Sequence, residues 1–180
     1  MRRTRLFLIC SAVALAAAAC GQSGSAPAAS AAPAEKSAAP AVETRWLRGL
    51  WANDIRAELG RIGLTCKGPI QENRTNAWMC ESATPLVSYQ VRFYGSAPGK
   101  IEYINAVVTQ SGPAKDVPCL RLFGALTGLH FEGADQALAQ KWLAVTLAGG
   151  GMTTIGPAKY KLAGDANRRV FDIKASGSEW

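Results

Sequence analysis

From residue 44 onward the apolar positions switch between a helical and an extended period. Leu47, Trp51, Ile55 and Leu59 recur every four residues, with Trp46, Leu50 and Ile62 widening the stripe. This predicts a helix over residues 44–63 that buries Trp51, with Thr44 as its N-cap and Gly60 or Gly63 as its stop. Strand signals follow. Residues 64–67 and 77–82 read as two short strands around a polar loop, Lys67 to Asn76, that opens with a Gly-Pro turn. Val87, Tyr89, Val91 and Phe93 alternate with Ser88, Gln90 and Arg92, the mark of a half-buried strand. After a turn at 95–99, residues 101–110 repeat the pattern with Ile104, Ala106 and Val108. Asp116 can cap a second helix with Pro118 in its first turn and Cys119, Leu122, Phe123 and Leu126 on one face. Residues 133–148 predict a third helix, with Leu138, Trp142 and Val145 in register and a stop at Gly149-Gly150-Gly151. Three strands close the chain, at 152–155, 160–163 and 169–174, joined by Gly-Pro and Gly-Asp turns.

The predicted order is αββββααβββ. A run of strands bracketed by helices argues for an α+β, two-layer domain: an antiparallel sheet of about five to six strands with three helices on one face. Residues 44–180 are long enough to bury one core.

Before residue 44 the periodicity vanishes. Residues 21–43 hold 18 Ala, Ser, Pro or Gly among 23 positions. Such a segment cannot bury enough apolar surface to offset its ordering entropy, so 20–43 reads as a disordered tether. Its root-mean-square reach would be roughly 25–30 Å. Residues 1–19 differ again. Arg2, Arg3 and Arg5 precede an apolar run from Leu6 to Ala19, shorter than the roughly 20 apolar residues a membrane-spanning helix needs. That is the shape of a secretory signal.

The signal ends Ala17-Ala18-Ala19-Cys20-Gly21. Over residues 1–21 the chain resembles the bacterial lipoprotein signal peptide, with Ala17 standing where Leu is usual. The globular part carries no such resemblance. The likeness implies cleavage before Cys20, a diacylglyceryl thioether on its sulfur and an N-acyl chain such as palmitate. Gly21, in place of Asp, implies sorting to the outer membrane, facing the periplasm. Each buried methylene contributes about 0.8 kcal/mol, so three acyl chains would hold the protein where one would not. The rival is cleavage after an Ala-x-Ala site, leaving a soluble periplasmic protein. A twin-arginine route is the third, with Arg5-Leu6 where that motif wants Phe-Leu.

Charge changes the picture little at this stage. The whole chain carries +7, and loss of the three signal arginines lowers it to +4. With basic residues scattered and only Arg168-Arg169 adjacent, no stripe tracks a nucleic-acid backbone, and no nucleic-acid partner is expected. Cysteine usage says more. Cys10 lies in the signal and Cys20 at the anchor, leaving Cys66, Cys80 and Cys119. An oxidising compartment favours one disulfide. Cys66–Cys80 is the expected pair, clamping the strands around the polar loop for about 3 kcal/mol in the chain-entropy model. Cys119, on an apolar helix face, can remain a buried thiol.

Candidate chemistry is sparse. His130 is the single histidine, in the link between the second and third helices, and general-base work would require a nucleophile or acid beside it. A crevice gathering Glu81, Arg92, Glu102 or His130 would favour an enzyme. Gly149 to Gly151 follows a helix instead of opening one, so it reads as a helix stop and not a phosphate loop. Asn73-Arg74-Thr75 is a glycosylation sequon without meaning of its own in bacteria. No catalytic, cofactor-binding or metal-ligating set is expected. Exposed Trp marks binding surfaces, so Arg74, Trp78 and Trp46, with the clamped loop, form the expected contact surface. Trp180 is terminal. The sequence therefore suggests a non-enzymatic, lipid-anchored envelope protein that binds an envelope protein or peptidoglycan. The alternative is a periplasmic inhibitor or immunity protein against a toxin or lytic enzyme.

Overall fold

The computed structural model describes residues 44–112 and 116–178. The signal, Cys20, the Ala/Pro/Ser segment and Trp180 lie outside the described residues. Ten elements follow one another: α1 (Ala52–Arg61), β1 (Thr65–Glu72), β2 (Thr75–Ala83), β3 (Val87–Ala97), β4 (Lys100–Gln110), α2 (Asp116–Thr127), α3 (Gln136–Thr146), β5 (Gly151–Ile155), β6 (Ala158–Gly164) and β7 (Arg168–Ala175). The class is α+β. All seven strands join one antiparallel sheet, in the order β1-β2-β3-β4-β7-β6-β5. The expected five or six strands are corrected to seven, because β7 docks beside β4 and brings β6 and β5 into the same sheet.

The first helix starts eight residues later than its apolar stripe predicts. Leu47 and Leu50 are fully buried, but as part of a non-helical lead-in. The Leu47 amide donates to the Ile101 carbonyl at 2.7 Å, and Gly49 turns the chain at φ +78°. Trp51 is the N-cap residue, with its amide donating to the Asp54 carboxylate at 3.1 Å. Trp51 is 57% exposed, a correction to the core role that the apolar period predicts, and its ring lies across Gly99. At the other end, the amides of Gly63 and Leu64 donate to the carbonyls of Gly60 and Leu59, a Schellman stop with Gly63 at φ +88°.

The expected polar loop after α1 is a hairpin. β1 and β2 run on to a two-residue turn at Asn73-Arg74, both at positive φ, which matches the right-handed twist of the flanking strands. Gly68-Pro69 is absorbed as an irregularity between Lys67 and Ile70 instead of ending the strand. Cys66 sits directly opposite Cys80 in this ladder and the two form a disulfide.

The core lies between the helices and one sheet face. Alternate residues supply that face: Trp78 and Cys80 from β2, Val91 and Phe93 from β3, Ile104, Ala106 and Val108 from β4, Phe171 and Ile173 from β7, Tyr160 and Leu162 from β6. Trp78 stacks on Phe93 with ring centroids 5.2 Å apart, and Phe171 meets Phe123 of α2 at 5.0 Å. α2 buries Cys119, Leu122, Phe123 and Leu126. α3 is rotated from the expected register: Ala139 and Leu143 are buried and Trp142 is half-buried, while Leu138 and Val145 face out. Two buried core positions four residues apart set the rotation, and Asp135 caps the helix by accepting from the Leu138 amide at 2.9 Å.

Candidate functional site: the open face of the sheet

The helices cover one face of the sheet, and the other side chains of the same strands stand on the opposite face. Antiparallel register sets them in rows across neighbouring strands. One row runs Tyr94, Tyr103, Lys174, Lys159 over β3, β4, β7 and β6. The next runs Arg92, Asn105, Asp172, Lys161. A third brings Val107 beside Val170.

Asp172 is the hub. Its side chain is buried between neighbouring strands and accepts from the Tyr103 hydroxyl at 2.6 Å and the Asn105 amide at 2.7 Å. Lys161 stands directly opposite it on β6. Charge-assisted bonds of this kind hold the two donors in fixed positions. Burial, and then the Asp172 carboxylate that its hydroxyl bonds, push the Tyr103 phenol well above the ordinary tyrosine range. Tyr103 therefore acts as a neutral donor at any physiological pH. Its ring stacks on Tyr94 at 5.9 Å, with the Lys174 ammonium 5.9 Å from the Tyr103 centroid.

The face is cationic. Lys67, Arg92, Lys159, Lys161, Arg168 and Lys174 stand on it against Glu72, Glu81 and Asp172. Most of the +4 expected of the chain without its signal is thus collected on one surface. Toward β1 a shallow groove of about 590 Å³ is lined by Lys67, Glu81, Gln90, Val107, Thr109 and Arg168. The Lys67 ammonium pairs with Glu81 at 3.4 Å across its rim. Half-buried Val107 and Val170 between fixed polar groups and a charged margin have the anatomy of a contact surface: an apolar middle and a polar rim.

The sequence-predicted contact residues fare differently. Arg74 is exposed at the tip of the β1–β2 turn. Trp46 is half-buried, with the Lys100 ammonium 5.2 Å from its ring. Trp78 is only 2% exposed and belongs to the core, which corrects its place in the expected contact surface. Its position on β2 alternates inward with Cys80, and Phe93 covers its ring. The four residues considered for an enzyme crevice are not brought together. Glu81 and Arg92 stand on the open face, and Glu102 is half-buried on β4. His130 lies in the α2–α3 link, hydrogen-bonded to the Gln136 side chain and close to the Gly128 carbonyl. It lines a separate hollow of about 410 Å³ with Gly49, Phe131, Glu132 and Gln136. The Gly149–Gly151 run ends α3, the Gly150 amide donating to the Thr146 carbonyl at 2.7 Å.

Two buried groups belong to the core, not to this face. Cys119 is a free thiol with its pKa raised by burial, and the Gln110 amide lies 3.8 Å from its sulfur. Arg169 is buried and donates to the Ala148 carbonyl at 3.0 Å, just beyond the end of α3. Among the described residues no cluster of His, Cys, Asp or Glu could hold a metal ion, and no helix is long and apolar enough to cross a membrane.

The open-face residues left a trace in the sequence. Arg92 and Gln90 are the polar half of the alternation that identified β3. Their grouping with Asp172 was invisible, because the partners lie 67 and 69 residues apart and meet only through the β4–β7 pairing. Set against known protein families, characterised proteins and solved structures, the chain matches none of them.

Proposed function

We propose that the protein is a lipid-anchored cell-envelope protein, held by acyl chains on Cys20 at the periplasmic side of the outer membrane, that binds an anionic envelope partner through the open face of its sheet. The observation that carries the binding half is the gathering of Arg92, Lys159, Lys161 and Lys174 in the rows of the Tyr103–Asn105–Asp172 cluster, on a face no element of the described chain covers. A buried hydrogen-bonded carboxylate at its centre fixes the platform, and the surrounding charges supply steering and complementarity toward an acidic surface. The disulfide between β1 and β2 suits an oxidising compartment and supports the exported address. The reading is one of recognition, because the groups on the face are fixed donors and cations.

The two halves are tested separately. Intact mass of the mature chain from native membranes should show acylation at Cys20 together with loss of two protons for one disulfide. An unacylated chain cut elsewhere would refute the anchor. For the face, a photo-crosslinking residue at Gln90 should capture an envelope component, with yield falling as salt rises, while the same residue at Asn53 of α1 should not. Equal capture at both positions would refute the assignment of the surface.

A further inference from the structure

The two edges of the sheet are built differently. β1 carries Lys67, Glu72, Pro69 and an irregularity between Lys67 and Ile70, each of which discourages another strand from pairing. β5, at the other edge, reads Gly-Met-Thr-Thr-Ile, with no charge, proline or bulge. The two-residue Gly156-Pro157 turn makes Ile155–Ala158 the closing hydrogen-bonded pair, so Ile155, Thr153 and Gly151 bond to β6. The amides and carbonyls of Met152 and Thr154 then point off the edge. Met152 is 63% exposed there. α3 packs against β5 through Trp142 and Thr146, which lie beside Gly151.

We infer that β5 is the dimerisation edge of this protein and that its occupant is β5 of a second copy, running antiparallel. The segment is self-complementary. A two-fold axis at Thr153 sets Met152 of each copy opposite Thr154 of the other, which joins the outward-pointing groups of both. Thr153 meets itself, a favourable cross-strand pair. Nothing charged faces its like across the axis. On the neighbouring strand, Lys159 and Lys161 of β6 are separated from their copies by three strand spacings of about 4.8 Å each, beyond a Debye length of about 8 Å. The result is one continuous fourteen-stranded sheet, twice the seven strands of a single chain, in which both cationic faces share a side. This inference does not depend on what the open face binds.

The test is thiol crosslinking of the full-length chain in its native envelope. Thr153→Cys should give a disulfide-linked species of twice the chain's mass on a non-reducing gel, and Ser96→Cys, exposed at the far β3–β4 turn, should not. Adding Thr154→Pro, which removes an outward donor and spares the β6 ladder, should abolish the species. Adding Met152→Lys should do the same by placing like charges across the axis, and circular dichroism will show which variants remain folded. No species of twice the mass from Thr153→Cys, or one that persists in folded Thr154→Pro and Met152→Lys chains, overturns the inference. An adduct of any other mass does so in favour of a foreign strand.

Discussion

The two faces of this sheet are made by the same residues taken alternately, yet they have opposite chemistry. On β7, Phe171 and Ile173 enter the core while Asp172 and Lys174 face out. On β4, Ile104 and Ala106 go in while Tyr103 and Asn105 go out. The inner face is anchored by area: Trp78, Phe93, Ile104, Tyr160 and Phe171 are each buried on it. The outer face is organised by direction, with a buried carboxylate, two aimed donors and cations at defined spacings. Under the proposed function, the inner face carries most of the stability and the outer face carries recognition. Substitutions on the inner face should change folding, and substitutions on the outer face should change binding.

The largest effect tests the inner face. Phe171 is fully buried and packs against Phe123, Trp142 and Tyr160. Phe171→Ala should lower the unfolding free energy by about 3–5 kcal/mol, read as a shift of the denaturation midpoint at unchanged slope. A loss no larger than that of a surface substitution would break the comparison at once. Next in size is the clamp on β1. Replacing Cys66 and Cys80 together with Ala should cost about 3 kcal/mol, and reductant should destabilise the parent chain and leave the double variant unmoved.

A pH experiment separates the faces by titration. Burial and the nearby Asp135 charge push Tyr160, on the inner face, up to about 12, and Tyr103, on the outer face, is raised as well. A tyrosine whose folded pKa exceeds its unfolded value of 10.0 releases its proton more easily when unfolded. Stability is therefore whole below pH 10 and falls as pH rises through 10 toward 12. Tyr103→Phe and Tyr160→Phe should each remove part of that alkaline slope. If neither changes it, the buried-phenol account of both faces is wrong.

The sequence foretold the faces unevenly. Strict alternation in β3 and β4 made those strands readable, and the polar half of the alternation already marked the outer surface. α1 began late because Leu47 and Leu50 continue its apolar stripe through a turn held by Gly49 and β4. The β1–β2 hairpin looked like a loop because Gly68-Pro69 is a turn signal in isolation; here Ala77 and Trp78 crowd Gly68, so the glycine serves close strand approach instead. From its polar neighbours Trp78 reads as a surface residue; the structure puts it inward, in register with Cys80 two residues on. The Asp172 cluster could not be read at all, since it exists only once β7 has docked on β4.

The most direct test of the account is charge reversal on the outer face, which carries the smallest expected cost in stability. Arg92→Glu and Arg168→Glu together should leave the unfolding free energy within about 0.5 kcal/mol per site of the parent. In the same chain, capture of the envelope partner by a photo-crosslinker at Gln90 should disappear. A folded double variant that still captures the partner at the parent's yield would contradict the claim that the open face is where this protein binds.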